Sequence, residues 1–170
     1  QGLGQGIHGF VQHQFAQALG QWRAPRLPCL THGPALSLQQ SLLAGRLQGH
    51  VRHLAERIGP RNSKFYSALQ HTVDYLQLEL ESYGYQVRRL AYSVDGQVFE
   101  NLETVCPGPF VVVGAHYDSV WDCPGANDNA SGVAGVLELA RRLRGVSGIR
   151  FVLFANEEPP FYKTSGMGSY

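Results

Sequence analysis

Two short runs of the chain, Phe110 to Ala115 and Ile149 to Ala155, are apolar and rich in β-branched residues, the pattern of strands buried on both faces of a parallel sheet. Between them Val133, Val136, Leu137, Ala140 and Leu143 recur at the spacing of one helical face, which predicts a helix from Ala130 to Arg144. A strand, helix, strand unit of this kind crosses over right-handed and makes its two strands parallel. Upstream, Leu69, Val73, Leu76, Leu80 and Tyr83 mark one face of a longer helix, with Asn62, Ser63 or Ser67 as candidate caps and Gly84 placed just past its end. Helical spacing also runs from Leu43 to Ile58, and Gly59-Pro60 stops it. Asp95-Gly96, between Tyr85 to Val94 and Gln97 to Val105, is a strong hairpin signal, so an antiparallel pair precedes the buried strands. The expected architecture is α/β: a mixed, mostly parallel β-sheet sandwiched by helices.

Polar residues gather where these strands end. His116 and Asp118 follow the first run, Glu157 and Glu158 follow the second, and Asp128 lies in a loop with Gly125 just ahead of the helix. Parallel strands bring His116 and the Glu pair out at the same carboxyl edge, where open α/β sheets bind their ligands. An imidazole and several carboxylates are costly to crowd together without a cation. Zinc accepts His nitrogen and carboxylate oxygen, and hydrolytic zinc chemistry needs one further carboxylate, not a ligand, to take a proton from the activated water. Adjacent Glu157 and Glu158 can divide those two tasks.

The segments His116-Tyr-Asp-Ser119, Gly125-Ala-Asn-Asp128-Asn-Ala-Ser-Gly132 and Asn156-Glu157-Glu158 occur in an order that resembles the zinc aminopeptidases of metallopeptidase family 28. Relatives in that family include bacterial leucyl aminopeptidases, glutamate carboxypeptidase-like enzymes and glutaminyl cyclases. The resemblance runs from about Leu47 to Tyr170. It implies that His116 binds one zinc, Asp128 bridges two, Glu158 binds the other, Glu157 is the general base, and Asp118 orients His116 from behind. It also implies a cis peptide bond after Asp128, a peptide substrate with a free N-terminus, and two further ligands, an Asp and a His, well beyond Glu158. These 170 residues do not reach that far. Counted on this chain alone, each metal is one ligand short of the three a catalytic zinc usually holds. With Gln1 first and no Met before Met167, the chain reads as a piece of a longer polypeptide. Its expected behaviour in isolation is weak zinc binding, no turnover, and apolar exposure at Phe151, Leu153 and Phe154.

Composition adds detail. Residues 1 to 55 contain no Asp or Glu, are rich in Gln and Gly, and carry Pro25, Pro28 and Pro34, so residues 1 to 40 read as a poorly ordered extension ahead of a partial catalytic domain from 41 to 170. Phe10, Phe15, Leu19 and Trp22 could share a helical stripe, but loose packing is the simpler reading and membrane binding is not expected. A net charge of +1 gives no field that suggests nucleic acid. Cys29, Cys106 and Cys123 have no paired spacing, and a buried neutral thiol is the default for Cys123. His50 and His53, without a nearby acid or Cys, read as a solvated helix face. Asn129-Ala-Ser131 matches a glycosylation acceptor inside the metal loop and is read as a chance match. Oligomeric state and compartment are left open. Besides an exopeptidase, two alternatives remain: a single-zinc glutaminyl cyclase-like acyltransferase, and a non-catalytic binding domain.

Overall fold

A computed structural model describes residues 35–170, of which Leu36–Tyr170 form one compact unit. The aromatic stripe at Phe10 to Trp22 and Cys29 lie outside the described residues. Helix α1 (Leu38–Arg52) starts five residues earlier than its apolar spacing implies, because Ser37 and Gln40 form a capping box in which each side chain bonds the other's backbone N–H. The reading of 1 to 40 as one disordered stretch therefore does not hold at its last residues. A π-helical turn (His53–Ile58) continues α1 to Gly59, as the Gly-Pro stop requires.

Helix α2 (Tyr66–Ser82) buries Leu69, Val73, Leu76 and Leu80 completely. It has no side-chain cap; Asn62 instead accepts from the N–H groups of Lys64 and Phe65 in the turn before it. At its other end Gly84 takes φ +90° and donates to Glu81 while Tyr85 donates to Leu80, the paired bonds of a Schellman motif.

Strands β1 (Val87–Val94) and β2 (Gln97–Thr104) pair antiparallel around Asp95 (φ 50°) and Gly96 (φ 80°), the positive pair that a type I′ turn needs. Strands β3 (Val111–His116) and β4 (Ile149–Phe154) are parallel, joined through helix α3 (Ser131–Arg142), and His116 stands opposite Phe154. With β2 antiparallel to β4, the sheet is mixed and ordered β1-β2-β4-β3. The expected α/β class is the one observed, but the sheet is not mostly parallel: among the described residues only the β3–β4 pair is parallel, because the hairpin strand β2 joins β4 antiparallel.

Four further expectations fail. Phe151 and Leu153 are buried, not exposed, because they join Leu76, Val133 and Leu137 in the core. Apolar exposure falls instead on Phe110, Val111 and Val112, since β3 is the edge strand among the described residues and its first half is not buried on both faces. Nor do His50 and His53 form a solvated face: His50 is buried with Nδ1 2.6 Å from the Tyr75 hydroxyl, and His53, half-buried, stacks on the same ring. Cys123 is exposed, and Cys106 is the buried thiol. Among the described residues no helix is long and apolar enough to cross a membrane.

Candidate metal centre

The β3–α3–β4 crossover delivers the site. His116 is the last residue of β3, Asp128 sits in the irregular turn Ala126–Ala130 that leads into α3, and Glu157 and Glu158 follow β4 after Asn156, whose φ of 58° turns the chain away from the sheet. The donor atoms of His116, Asp128 and Glu158 all lie within 4.8 Å of one another. His116 Nε2 is 3.0 Å from Asp128 Oδ1. Donors about 2.1 Å from a tetrahedral zinc stand about 3.4 Å apart, so the His116–Asp128 pair is already at ligand spacing and Glu158 is within a small movement of it. One nitrogen and two carboxylate oxygens are a donor set that zinc accepts, and they fit it.

Asp118 holds the arrangement from behind. Its side chain is 2% exposed; Oδ1 accepts from the Glu157 N–H at 3.1 Å and Oδ2 from the Glu158 N–H at 3.0 Å. The same Oδ1 is 3.3 Å from His116 Nδ1, a buried nitrogen with no other partner and off the line of a well-formed hydrogen bond. One carboxylate therefore ties the end of β3 to the end of β4. The sequence suggested the contact with His116 but not the grip on the Glu pair, which depends on where β4 ends in space.

Electrostatics agree with a site short of positive charge. Burial pulls the His116 imidazole down, but the surrounding Asp118, Asp128 and Glu158 outweigh it and hold the ring above its ordinary 6.5. Burial and the neighbouring Asp128 push the Glu158 carboxyl above its usual 4.5, against the opposing pull of His116. Glu157 stands apart from the three clustered donors. Its two oxygens accept from the backbone N–H (2.8 Å) and the hydroxyl (2.7 Å) of Ser169, a partner that sequence spacing did not reveal. His116, Asp128, Glu157, Glu158, Pro159 and Tyr162 line a cleft of about 540 Å³.

The loop before Asp128 is tightly built. Gly125 has φ 57°, and a side chain there would run into the Asp128 carbonyl and Ser119. Asn129 Oδ1 accepts from the Gly132 N–H at 3.1 Å, which ties the loop to the first turn of α3. The Asp128–Asn129 peptide bond is cis, as the resemblance implied.

An α/β domain with a three-donor cluster at the carboxyl edge of its parallel strands is what this fold and site define. Residues 99–168 match the family described as Peptidase family M28. The chain is 36% identical over 138 residues to the Escherichia coli (strain K12) "Uncharacterized protein YfbL", covering 73% of this chain and 43% of that protein. Over a shorter stretch of 51 residues it is 55% identical to "Aminopeptidase YwaD" of Bacillus subtilis (strain 168), 28% of this chain and 11% of that one. The solved structure of BSAP, a zinc aminopeptidase from Bacillus subtilis, superposes with a TM-score of 0.62 at 16% identity over 67% of this chain and 61% of that chain, a likeness of fold. A Bacteroides thetaiotaomicron glutaminyl cyclase bound to N-acetylhistamine superposes with a TM-score of 0.56 at 26% identity, covering 71% of this chain and 50% of that one. The likeness to Peptidase family M28 thus rests on residues 99–168, and the chain spans less than half the length of the curated relatives named here.

Proposed function

We propose that the protein is a zinc-dependent aminopeptidase in which His116, Asp128 and Glu158 hold the metal and Glu157 is the general base. The observation that carries this reading is the convergence of three donors within 4.8 Å beside a fourth carboxylate that is not among them. Zinc held by His116, Asp128 and Glu158 would supply Lewis acidity to the scissile carbonyl and to an attacking water. Glu157 takes the proton of that water on a carboxylate oxygen and returns it to the leaving amine. Ser169 orients that carboxylate through both oxygens. Asp118 fixes the backbone of the Glu pair and lies against His116, the kind of support that metal-ligating histidines receive. The excess of carboxylates in the cleft favours a cationic α-amino group, which supports a peptide with a free N-terminus as substrate.

Three donors are enough for one ion; the two-ion count implied by resemblance requires Asp128 to bridge and further ligands to join. Likeness to a glutaminyl cyclase supports a second reading, a single-zinc acyltransferase. One assay separates the two. The full-length protein, stripped of metal and reloaded with zinc, should release nitroaniline from leucine and alanine p-nitroanilides but not from their N-acetyl forms. Cyclisation of an N-terminal glutaminyl peptide without amide hydrolysis would overturn the aminopeptidase reading in favour of the second.

A further inference from the structure

Arg61 is completely buried, and among the described residues its guanidinium makes no hydrogen bond to a carboxylate. All its bonds go to backbone carbonyls. Nε donates to Tyr117 at 2.6 Å, Nη1 to Pro124 at 2.6 Å, to Gly59 at 3.2 Å and to Leu54 at 3.3 Å, and Nη2 to Gly125 at 3.1 Å. Tyr117 is the residue after His116, and Pro124 and Gly125 lead into the turn that carries Asp128. The Gly125 carbonyl also accepts from the Ala130 N–H at 3.0 Å, which closes that turn. The Arg61 backbone adds two more ties to the same region, donating to the Ser119 hydroxyl and accepting from the Ser119 N–H. A single planar fork thus spans the two segments that carry the His and Asp donors.

Burying a cation without an ion-pair partner is expensive, and an apolar side chain would fill the same space at lower cost. What an apolar residue could not do is hold five carbonyls at once, or place a positive charge behind the carboxylates at the strand edge. Lys could do only part of it, because its ammonium is a point donor on a flexible stem. We propose that Arg61 is a positioning residue that sets the separation of His116 from Asp128, and through it the zinc affinity of the site. This rests on the metal-centre reading above.

The test is zinc affinity, measured by competition with a chromogenic chelator, on the full-length wild type, Arg61→Lys, Arg61→Met and Leu80→Ala. Leu80 lies in the α2 core and is not among the hydrogen-bond partners of Arg61, so its variant reports general loss of stability. Supporting groups behind metal ligands typically contribute 10- to 100-fold in affinity. Arg61→Lys should fall in that range, Arg61→Met should lose at least as much, and Leu80→Ala should bind as the wild type does. If Arg61→Met is unfolded without metal, the zinc concentration that restores its far-UV circular dichroism gives the same comparison. Wild-type binding with Arg61→Lys within twofold of it, or losses no larger than those of Leu80→Ala, would overturn the proposal. Absence of zinc binding by the wild type would instead refute the metal-centre reading on which it rests.

Discussion

Replacing Asp118 with Asn exchanges one nearly buried oxygen for an NH₂ group. In the native site both oxygens are used, Oδ1 by the Glu157 N–H and Oδ2 by the Glu158 N–H, so either orientation of the amide sets its NH₂ against a backbone donor. One charge-assisted bond is lost, about 1.5–3 kcal/mol, and one backbone N–H loses its partner, about 1–3 kcal/mol when fully buried. Because Glu157 and Glu158 are half-buried, water can reach part of the gap, and the lower end of that sum applies, about 2.5–4 kcal/mol. A loss of this size is a large share of a domain's 5–15 kcal/mol total. Zinc affinity should fall about 10- to 100-fold as His116 and Glu158 lose their common support. Urea unfolding of the metal-free protein and chelator competition measure the two effects separately. Stability within about 0.5 kcal/mol of the wild type, with unchanged zinc affinity, would show that Asp118 does not tie the two strand ends together.

If Asp128 bridges two ions in the full-length protein, Asp128→Ala should lower zinc stoichiometry by more than one equivalent while His116→Ala removes about one; equal single losses in titration calorimetry would favour the one-ion site. Glu138, 3% exposed, accepts from both Arg46 and Arg141. Burial pushes its carboxyl up, but the two guanidinium groups prevail and hold it below the ordinary 4.5, so its stabilising contribution is present above that value and lost as pH falls through and below it. Glu138→Gln should therefore be less stable than the wild type near pH 7 by about 2 kcal/mol, with the gap closing below about pH 4 in pH-dependent urea unfolding; a gap that stays constant would contradict the pairing.

The parts of the fold that the sequence disclosed are those set by local rules. Leu69, Val73, Leu76 and Leu80 recur at helical spacing, Asp95-Gly96 has the backbone freedom a tight hairpin demands, and the apolar runs ending at His116 and before Glu157 mark two parallel strands. The candidate donors were legible for the same reason, since each stands at an element boundary on one edge of the sheet. Groups whose role depends on distant partners were not. Arg61 reads as a loop residue until Pro124 and Gly125 fold over it, and Ser169 reaches Glu157 only through the turns after β4. Glu138 sits among the exposed-looking positions of an amphipathic helix, yet Arg46, 92 residues away, draws it into a buried pair. His50 and His53 looked solvated because Tyr75, on the next helix, supplies the contact that buries one and stacks the other.

The division of labour between the adjacent glutamates is tested most directly by zinc titration of Glu157→Gln and Glu158→Gln side by side in the full-length protein. Glu158 lies in the donor cluster and Glu157 does not. The expected result is that Glu157→Gln binds zinc like the wild type, with turnover reduced about 10²- to 10⁴-fold as a missing general base requires, whereas Glu158→Gln loses zinc. Loss of zinc in Glu157→Gln with retention in Glu158→Gln would reverse the two roles and contradict the site as built.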